Sequence, residues 1–225
     1  MSLQLHIESA TKICSVALSS EGVLLNYIEE YSEQYIHSER LTILIEQTVK
    51  EAGKNLSDLC AISIDKGPGS FTGLRIGVSV AKGLCYSLKI PLTSIDSLTS
   101  LFYGFKNSTI KTSNNDVILP MIDARRMEVY TSGFKNNCEV IFPVGASNVD
   151  EMFFEKLRRF DKVHIFGDGA KKVMDSFNND QLIYHPEIVC SSKHQISQSY
   201  TKFCNKVFED VAYFDPYYLK DFKPH

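Results

Sequence analysis

Few residues in this chain have the type and spacing to do chemistry. Most of them gather in one stretch, Asp65-Lys66-Gly67-Pro68-Gly69-Ser70-Phe71-Thr72-Gly73-Leu74-Arg75-Ile76-Gly77. A glycine turn that opens a helix can hold an anion, because the first backbone N–H groups lack partners and the macrodipole adds positive potential. Gly69, Ser70, Thr72 and Gly73 are the candidate ligands. The competing reading is a tight connection in which glycine lets backbone lie against backbone. There is no Walker Gly-Lys-Ser/Thr ending, and Gly67-x-Gly69-x-x-x-Gly73 misses the dinucleotide spacing by one residue, which favours the structural reading.

Other chemistry is sparser. Glu8 and Asp123 each end an apolar strand pattern, and Gly167-Asp168-Gly169-Ala170 is a second, shorter glycine turn. The histidines at 6, 37, 164, 185, 194 and 225 form no pair one helical turn apart, so no metal site is expected. No Gly-x-Ser-x-Gly elbow is present, and the cysteines at 14, 60, 85, 138, 190 and 204 show no Cys-x-x-Cys spacing. No catalytic residue is assigned.

The elements that would position these residues follow from periodicity. Leu3 to Glu8, Ile13 to Leu18 and Val23 to Glu29 read as an antiparallel meander, and residues 35–52 as a helix capped by Ser38 and ended by Gly53. Leu59 to Ile64 is a strand, and Thr72 caps a helix over 73–88. That helix is apolar on most sides. Gly73, Gly77 and Ala81 form a small stripe that another helix could approach closely, and Ile76, Val80, Gly83 and Ser87 form a second uncharged stripe. Ile90 to Ser94 is a strand, and a helix from Asp96 or Ser97 ends near Tyr103 at Gly104.

The polar run Lys106 to Asp116 is the expected boundary between units 1–105 and 106–225, with the C-terminal segment free to pack back on the first. Beyond it come strands Val117 to Ile122, Met127 to Phe134 and Val140 to Val144, a helix Asp150 to Phe160, a strand Lys162 to Phe166 and a helix through Phe177. Both halves therefore share one order: strand, acid, strand, strand, helix, strand, glycine turn, helix.

Ser63-Ile64-Asp65 and the run Lys66 to Gly77 resemble the signature of the TsaB (YeaZ) family. The resemblance covers residues 1–130 and returns at Pro216-Tyr217-Tyr218-Leu219-Lys220. It implies an α/β protein of the duplicated actin-like (ASKHA, ribonuclease H-like) fold, two subdomains each with a mixed sheet flanked by helices. Glu8 and Asp123 would then face each other across a cleft. The implied role is that of a non-catalytic partner of a TsaD-type catalytic subunit, in making threonylcarbamoyladenosine beside the tRNA anticodon.

The same resemblance implies a TsaE-type ATPase reached through the complex, only indirect contact with tRNA, and no cofactor of its own; a homodimer of the chain alone is left open. Two departures stand out. Glu8 falls where the family usually has Asp-Thr-Ser/Ala. His37 is followed four residues on by Leu41, where TsaD carries His-x-x-x-His. The alternatives are a metallopeptidase-like (glycoprotease) enzyme or a small-molecule kinase of the same fold. The expected partner surface lies on the helices 38–52 and 73–88, at Leu41, Leu44, Ile45, Thr48, Gly73, Ile76, Gly77, Val80, Ala81, Gly83 and Ser87.

Composition fits this reading. The chain has 225 residues, 44% hydrophobic and 23% charged, ordinary values for a globular protein with a real core. A formal net charge of −3 argues against strong direct nucleic-acid binding, and Arg158-Arg159 and Lys171-Lys172 read as solvated surface. Scattered cysteines in apolar runs fit reduced thiols in a cytoplasm. No signal-peptide pattern opens the chain, and no stretch is apolar enough to span a bilayer.

Overall fold

The computed structural model describes residues 2–33 and 36–220. The chain divides into two compact units: Met1–Ser100 with Cys190–Tyr218, and Leu101–Val189 with the residues from Leu219 on. The first crossing thus falls inside a helix rather than in the polar run 106–116. The segment Cys190–Tyr218, late in the chain, belongs to the first unit.

In unit 1, strands β1 (Leu3–Glu8), β2 (Ile13–Ser20) and β3 (Val23–Tyr31) form the expected meander. Helix α1 (His37–Glu51), strand β4 (Ala61–Asp65), helix α2 (Phe71–Leu88), strand β5 (Leu92–Ile95) and helix α3 (Ser97–Lys106) follow. The sheet order is β3-β2-β1-β4-β5, with β1 antiparallel to β2 and parallel to β4. Leu3, Leu5 and Ile7 of β1 and Ile62 and Ile64 of β4 meet Leu41, Leu44, Ile45 and Val49 of α1 and Val78 and Ala81 of α2. The expected start of α1 at Tyr35 lies outside the described residues. Ile36 stands at its N-cap with no side-chain bond, so Ser38 does not cap it, and Gly53 (φ +66°) follows its end as expected.

The other face of this sheet is polar yet buried. Gln4, His6 and Glu8 are all essentially inaccessible. They are covered by a 3₁₀ turn (Ser192–Gln195) and helix α6 (Ile196–Cys204), which return from the far end of the chain. His6 Nε2 meets Ser19 Oγ at 2.7 Å and its Nδ1 meets Ser199 Oγ at 3.2 Å. Burial drives the His6 pKa down to about 3. The unfolded chain protonates this imidazole below about pH 6.5, the folded chain only near 3, so its contribution to stability falls as pH drops through that window. Wild type is expected to lose about 1.4 kcal/mol more per pH unit than His6→Gln between pH 6 and 4, measured by urea unfolding.

Unit 2 repeats the plan. Strands β6 (Val117–Asp123), β7 (Glu128–Phe134) and β8 (Val140–Asn148), helix α4 (Glu151–Glu155), strand β9 (Val163–Phe166), helix α5 (Ala170–Ser176) and strand β10 (Leu182–His185) give the sheet order β8-β7-β6-β9-β10. That is the order of the first sheet, strand for strand. One face packs on α4 and α5 through Val117, Leu119, Met121, Ile165 and Val173. Helix α4 is half its expected length, and the rest of Asp150 to Phe160 runs as turns. Helix α3 continues through Gly104 because Phe102 stacks on Phe134 and Phe105 on Phe166, with centroids 4.2 and 4.8 Å apart. Burial of those rings outweighs the roughly 1 kcal/mol that glycine costs a helix.

Candidate functional site

The glycine stretch is built around the turn that follows β1. Glu8 and Asp65 sit side by side at the C-terminal ends of the parallel strands β1 and β4, both fully buried. Asp65 Oδ1 accepts from Ser9 N at 2.8 Å and Ser9 Oγ at 3.1 Å, whereas its Oδ2 has no hydrogen-bond partner. Burial, and then the charge of Glu8, push the Asp65 pKa well above the carboxylate range, against the pull of Ser9. Glu8 Oε1 accepts from Ala10 N at 3.0 Å. The pair holds Ser9-Ala10 in place, and the glycines close on it.

A Cβ at Gly69 would lie 2.5 Å from Ala10 O, one at Gly73 2.1 Å from Ser9 O, and one at Gly77 2.2 Å from Ser9 Oγ. The small stripe Gly73, Gly77 and Ala81 therefore admits a backbone turn rather than a second helix. The helix cap is Ser70, whose Oγ accepts from Gly73 N at 3.3 Å, while Thr72 is exposed. Ser70 N donates to Ala10 O at 2.7 Å and Leu74 N to Ser70 O at 2.9 Å. Among the candidate anion ligands, the N–H groups of Ser70 and Gly73 are thus taken by the chain itself.

The second glycine turn is filled in its own way. Asp168 Oδ1 accepts from Asp123 N at 3.0 Å, the counterpart of Ser9 on Asp65. Burial raises the Asp168 pKa to about 6. Asp123 Oδ1 takes Arg125 N at 3.0 Å and a very short contact from Lys172 Nζ, which also donates to the carbonyls of Arg126 and Glu128 at 2.7 and 2.6 Å. An ammonium occupies the place beside this carboxylate that a cation would need.

Among the described residues, no metal ligand set forms around His37. Its ring is buried with Nε2 at 3.2 Å from Ile13 O, and Leu41 one turn on is a core residue. Among the described residues, no group of three or more His, Cys, Asp or Glu side chains could hold a metal ion. Burial pushes the Cys14 and Cys85 thiols up to about 12.

The two stretches that carried the family resemblance meet here. Tyr217 N donates to Lys66 O at 2.6 Å, and Tyr218 stacks on Phe71 with centroids 4.7 Å apart. Arg75 Nε donates to Tyr218 OH at 3.2 Å. Upstream, Lys82 Nζ bonds the carbonyls of Ala212 and Phe214 at 3.2 and 2.9 Å. This segment covers one flank of α2, along Phe71, Arg75 and Lys82. Helix α2 thus has three clothed sides: the sheet, the C-terminal segment and α1.

One side remains open. It carries Thr72, Ser79, Gly83, Tyr86 and Ser87 in the open, with Ile76 and Val80 half-buried against the core of unit 1. Tyr86 is 82% exposed, and among the described residues no atom lies within 4 Å of where a Gly83 Cβ would stand. The expectation for the partner surface needs correcting on the other residues. Leu41, Leu44, Ile45 and Thr48 of α1, and Gly73, Gly77 and Ala81 of α2, are buried within unit 1 and present nothing to a partner. The outer face of α1 shows Thr42, Ile43, Glu46, Gln47 and Lys50 instead. Sequence periodicity marks an apolar stripe but not which of two stripes a sheet will claim.

Fold and loops together define an actin-like α/β protein, duplicated in strand order, whose two glycine loops are filled by its own residues. Residues 31–220 match the family model described as TsaD: tRNA N6-adenosine threonylcarbamoyltransferase, and the chain belongs to that family. The curated relatives it resembles there are named tRNA threonylcarbamoyladenosine biosynthesis protein TsaB. The Escherichia coli (strain K12) protein is 32% identical over 135 residues, 59% of this chain and 55% of the relative. The Bacillus subtilis (strain 168) protein is 34% identical over 128 residues, 56% and 52% respectively. The chain spans about half the length of these relatives. The solved structure described as YeaZ from Pseudomonas aeruginosa superposes with a TM-score of 0.77 over 97% of this chain and all of that one, at 23% identity.

Proposed function

We propose that this protein is a non-catalytic subunit that binds a TsaD-type catalytic subunit and supports threonylcarbamoyl transfer to the adenosine beside the tRNA anticodon. The observation that carries the reading is the open side of α2. A helix clothed on three sides keeps one uncharged strip, Ile76, Ser79, Val80, Gly83 and Ser87 with Tyr86 at its edge. Such a strip gains about 25 cal/mol per Å² of apolar area when a partner covers it. The curated relatives bear a biosynthesis name for this modification, which agrees with the reading. The protein would work in the cytoplasm, meet tRNA only through its partner, and meet a TsaE-type ATPase through the same complex. Among the described residues, no helix is long and apolar enough to cross a membrane.

The non-catalytic role is supported by Leu41, a core residue where a second histidine ligand would stand, and by the filled glycine loops. The direct test is the mass of a mixture of this chain with the TsaD-type protein of its organism, where a stable complex is expected. His37→Ala is expected to leave tRNA modification by the reconstituted system nearly unchanged, assayed below the variant's melting temperature. Loss of modification with the complex intact would return the histidine to the chemistry and overturn the non-catalytic reading.

A further inference from the structure

Unit 2 contains a line of ionisable groups that no step above uses. His164 on β9 and His185 on β10 stand side by side, with His164 Nδ1 and His185 Nε2 2.9 Å apart. Beyond His164, its Nε2 meets Asp116 Oδ2 at 3.3 Å; beyond His185, its Nδ1 lies 3.6 Å from Glu187 Oε1. Both rings and Asp116 are buried, whereas Glu187 stands in solvent. Phe105 of α3 packs on both imidazoles, with centroids 5.4 and 5.2 Å away, and brings no charge. Lys135 stands close to Asp116, and its Nζ donates to the Asp116 carbonyl at 3.2 Å.

The hydrogen positions follow from one end of the line. Burial works against the Asp116 charge, but Ser113 N at 2.6 Å, Ser113 Oγ at 2.8 Å and His164 hold its carboxyl below the usual range. An ionised Asp116 only accepts, so His164 carries its hydrogen on Nε2 and offers a lone pair at Nδ1. His185 must then donate from Nε2, which leaves a lone pair at Nδ1 facing the Glu187 carboxylate. Two acceptors face each other there, and only an added proton turns the contact into a charge-assisted bond.

We infer that the Asp116–His164–His185 line is a one-proton switch: a proton taken at His185 Nδ1 draws in Glu187 and pins residues 186–189 to the end of β10. The segment matters to its neighbour, since Ile188 O accepts from Gly167 N at 3.1 Å beside the second glycine turn. Burial first, and then the neighbouring His164, lower the His185 pKa, with Glu187 opposing. The switch therefore operates on the acid side of the ordinary histidine range. The same sign makes His185 a group whose stability contribution falls as pH drops below about 6.5.

The test is a titration of the full chain labelled with ¹⁵N-histidine, read by long-range ¹H–¹⁵N spectra. At pH 7.5 both rings are expected as Nε2–H tautomers, and on acidification His185 Nδ1 takes the proton. Glu187→Gln, a solvent-exposed change that spares the fold, is expected to lower that midpoint by about 0.3–0.7 of a pH unit. Below the midpoint, the Gly167 amide is expected to exchange more slowly in wild type than in Glu187→Gln. A Nδ1–H tautomer for His185 at pH 7.5, or a midpoint unmoved by Glu187→Gln, overturns the switch. Equal Gly167 exchange in the two proteins overturns the pinning.

Discussion

Gly73→Ala is expected to unfold the protein or leave it barely stable, while Gly83→Ala, ten residues along the same helix, is expected to stabilise it. At Gly73 the added methyl would stand 2.1 Å from Ser9 O, far inside contact distance. Ser9 cannot retreat, because its N–H and its hydroxyl are both held by the buried Asp65 carboxylate. Relief requires moving the helix N-terminus or breaking that anchor, and either exceeds the roughly 1–3 kcal/mol of ordinary overpacking. Native proteins have only about 5–15 kcal/mol in all. At Gly83 nothing among the described residues lies within 4 Å, so alanine brings only its better helix propensity, about 0.8–1 kcal/mol. Urea midpoints of the two variants measure the contrast. A Gly73→Ala protein within 1 kcal/mol of wild type would mean that the turn after β1 yields, and that the glycine loop is not set by it.

Gly83→Arg carries the second large effect, on association rather than folding. The arginine points into open space on the uncovered side of α2, so the isolated protein should melt at or slightly above the wild-type temperature. Buried against a partner, the unpaired guanidinium is expected to weaken binding to the TsaD-type subunit by about 2–5 kcal/mol, which is about 30-fold or more in Kd. Ala81→Arg is the internal contrast. Ala81 is fully buried in unit 1, so that variant is expected to fail at folding before any partner is met. Calorimetric titration of Gly83→Arg against the partner separates the outcomes. Wild-type affinity would remove this side of α2 from the interface and leave the proposed complex, if it forms, to another surface.

Much of this fold was legible because burial and periodicity coincide in it. The meander, α1, β4 and α2 are long or strongly alternating, and the repeated order of strand, acid, meander, helix and glycine turn in the two halves reappears as one strand order in two sheets. The glycine stretch declared its backbone character through the type and density of its residues, since three glycines and a proline within seven positions serve no core. The resemblance of the stretches 66–77 and 216–220 to one family was likewise available from their letters.

Tertiary structure decided the rest, wherever the chain buries polar groups or chooses between equal faces. Helix α6 escaped periodicity because its buried residues include Ser199 beside Ile196, matched to Gln4 and His6 across a polar layer that no hydrophobic pattern marks. The cap moved from Thr72 to Ser70 because Ala10 fixes where the helix can begin. The division between units fell within α3 rather than in the polar run after it, because Phe102 and Phe105 find their partners in the second sheet. Of the two small, uncharged stripes on α2, Gly73-Gly77-Ala81 turned inward because the Ser9 backbone needs hydrogen-sized neighbours, which leaves Gly83 facing out. A sequence states which residues are small or apolar, but only packing decides what lies against them.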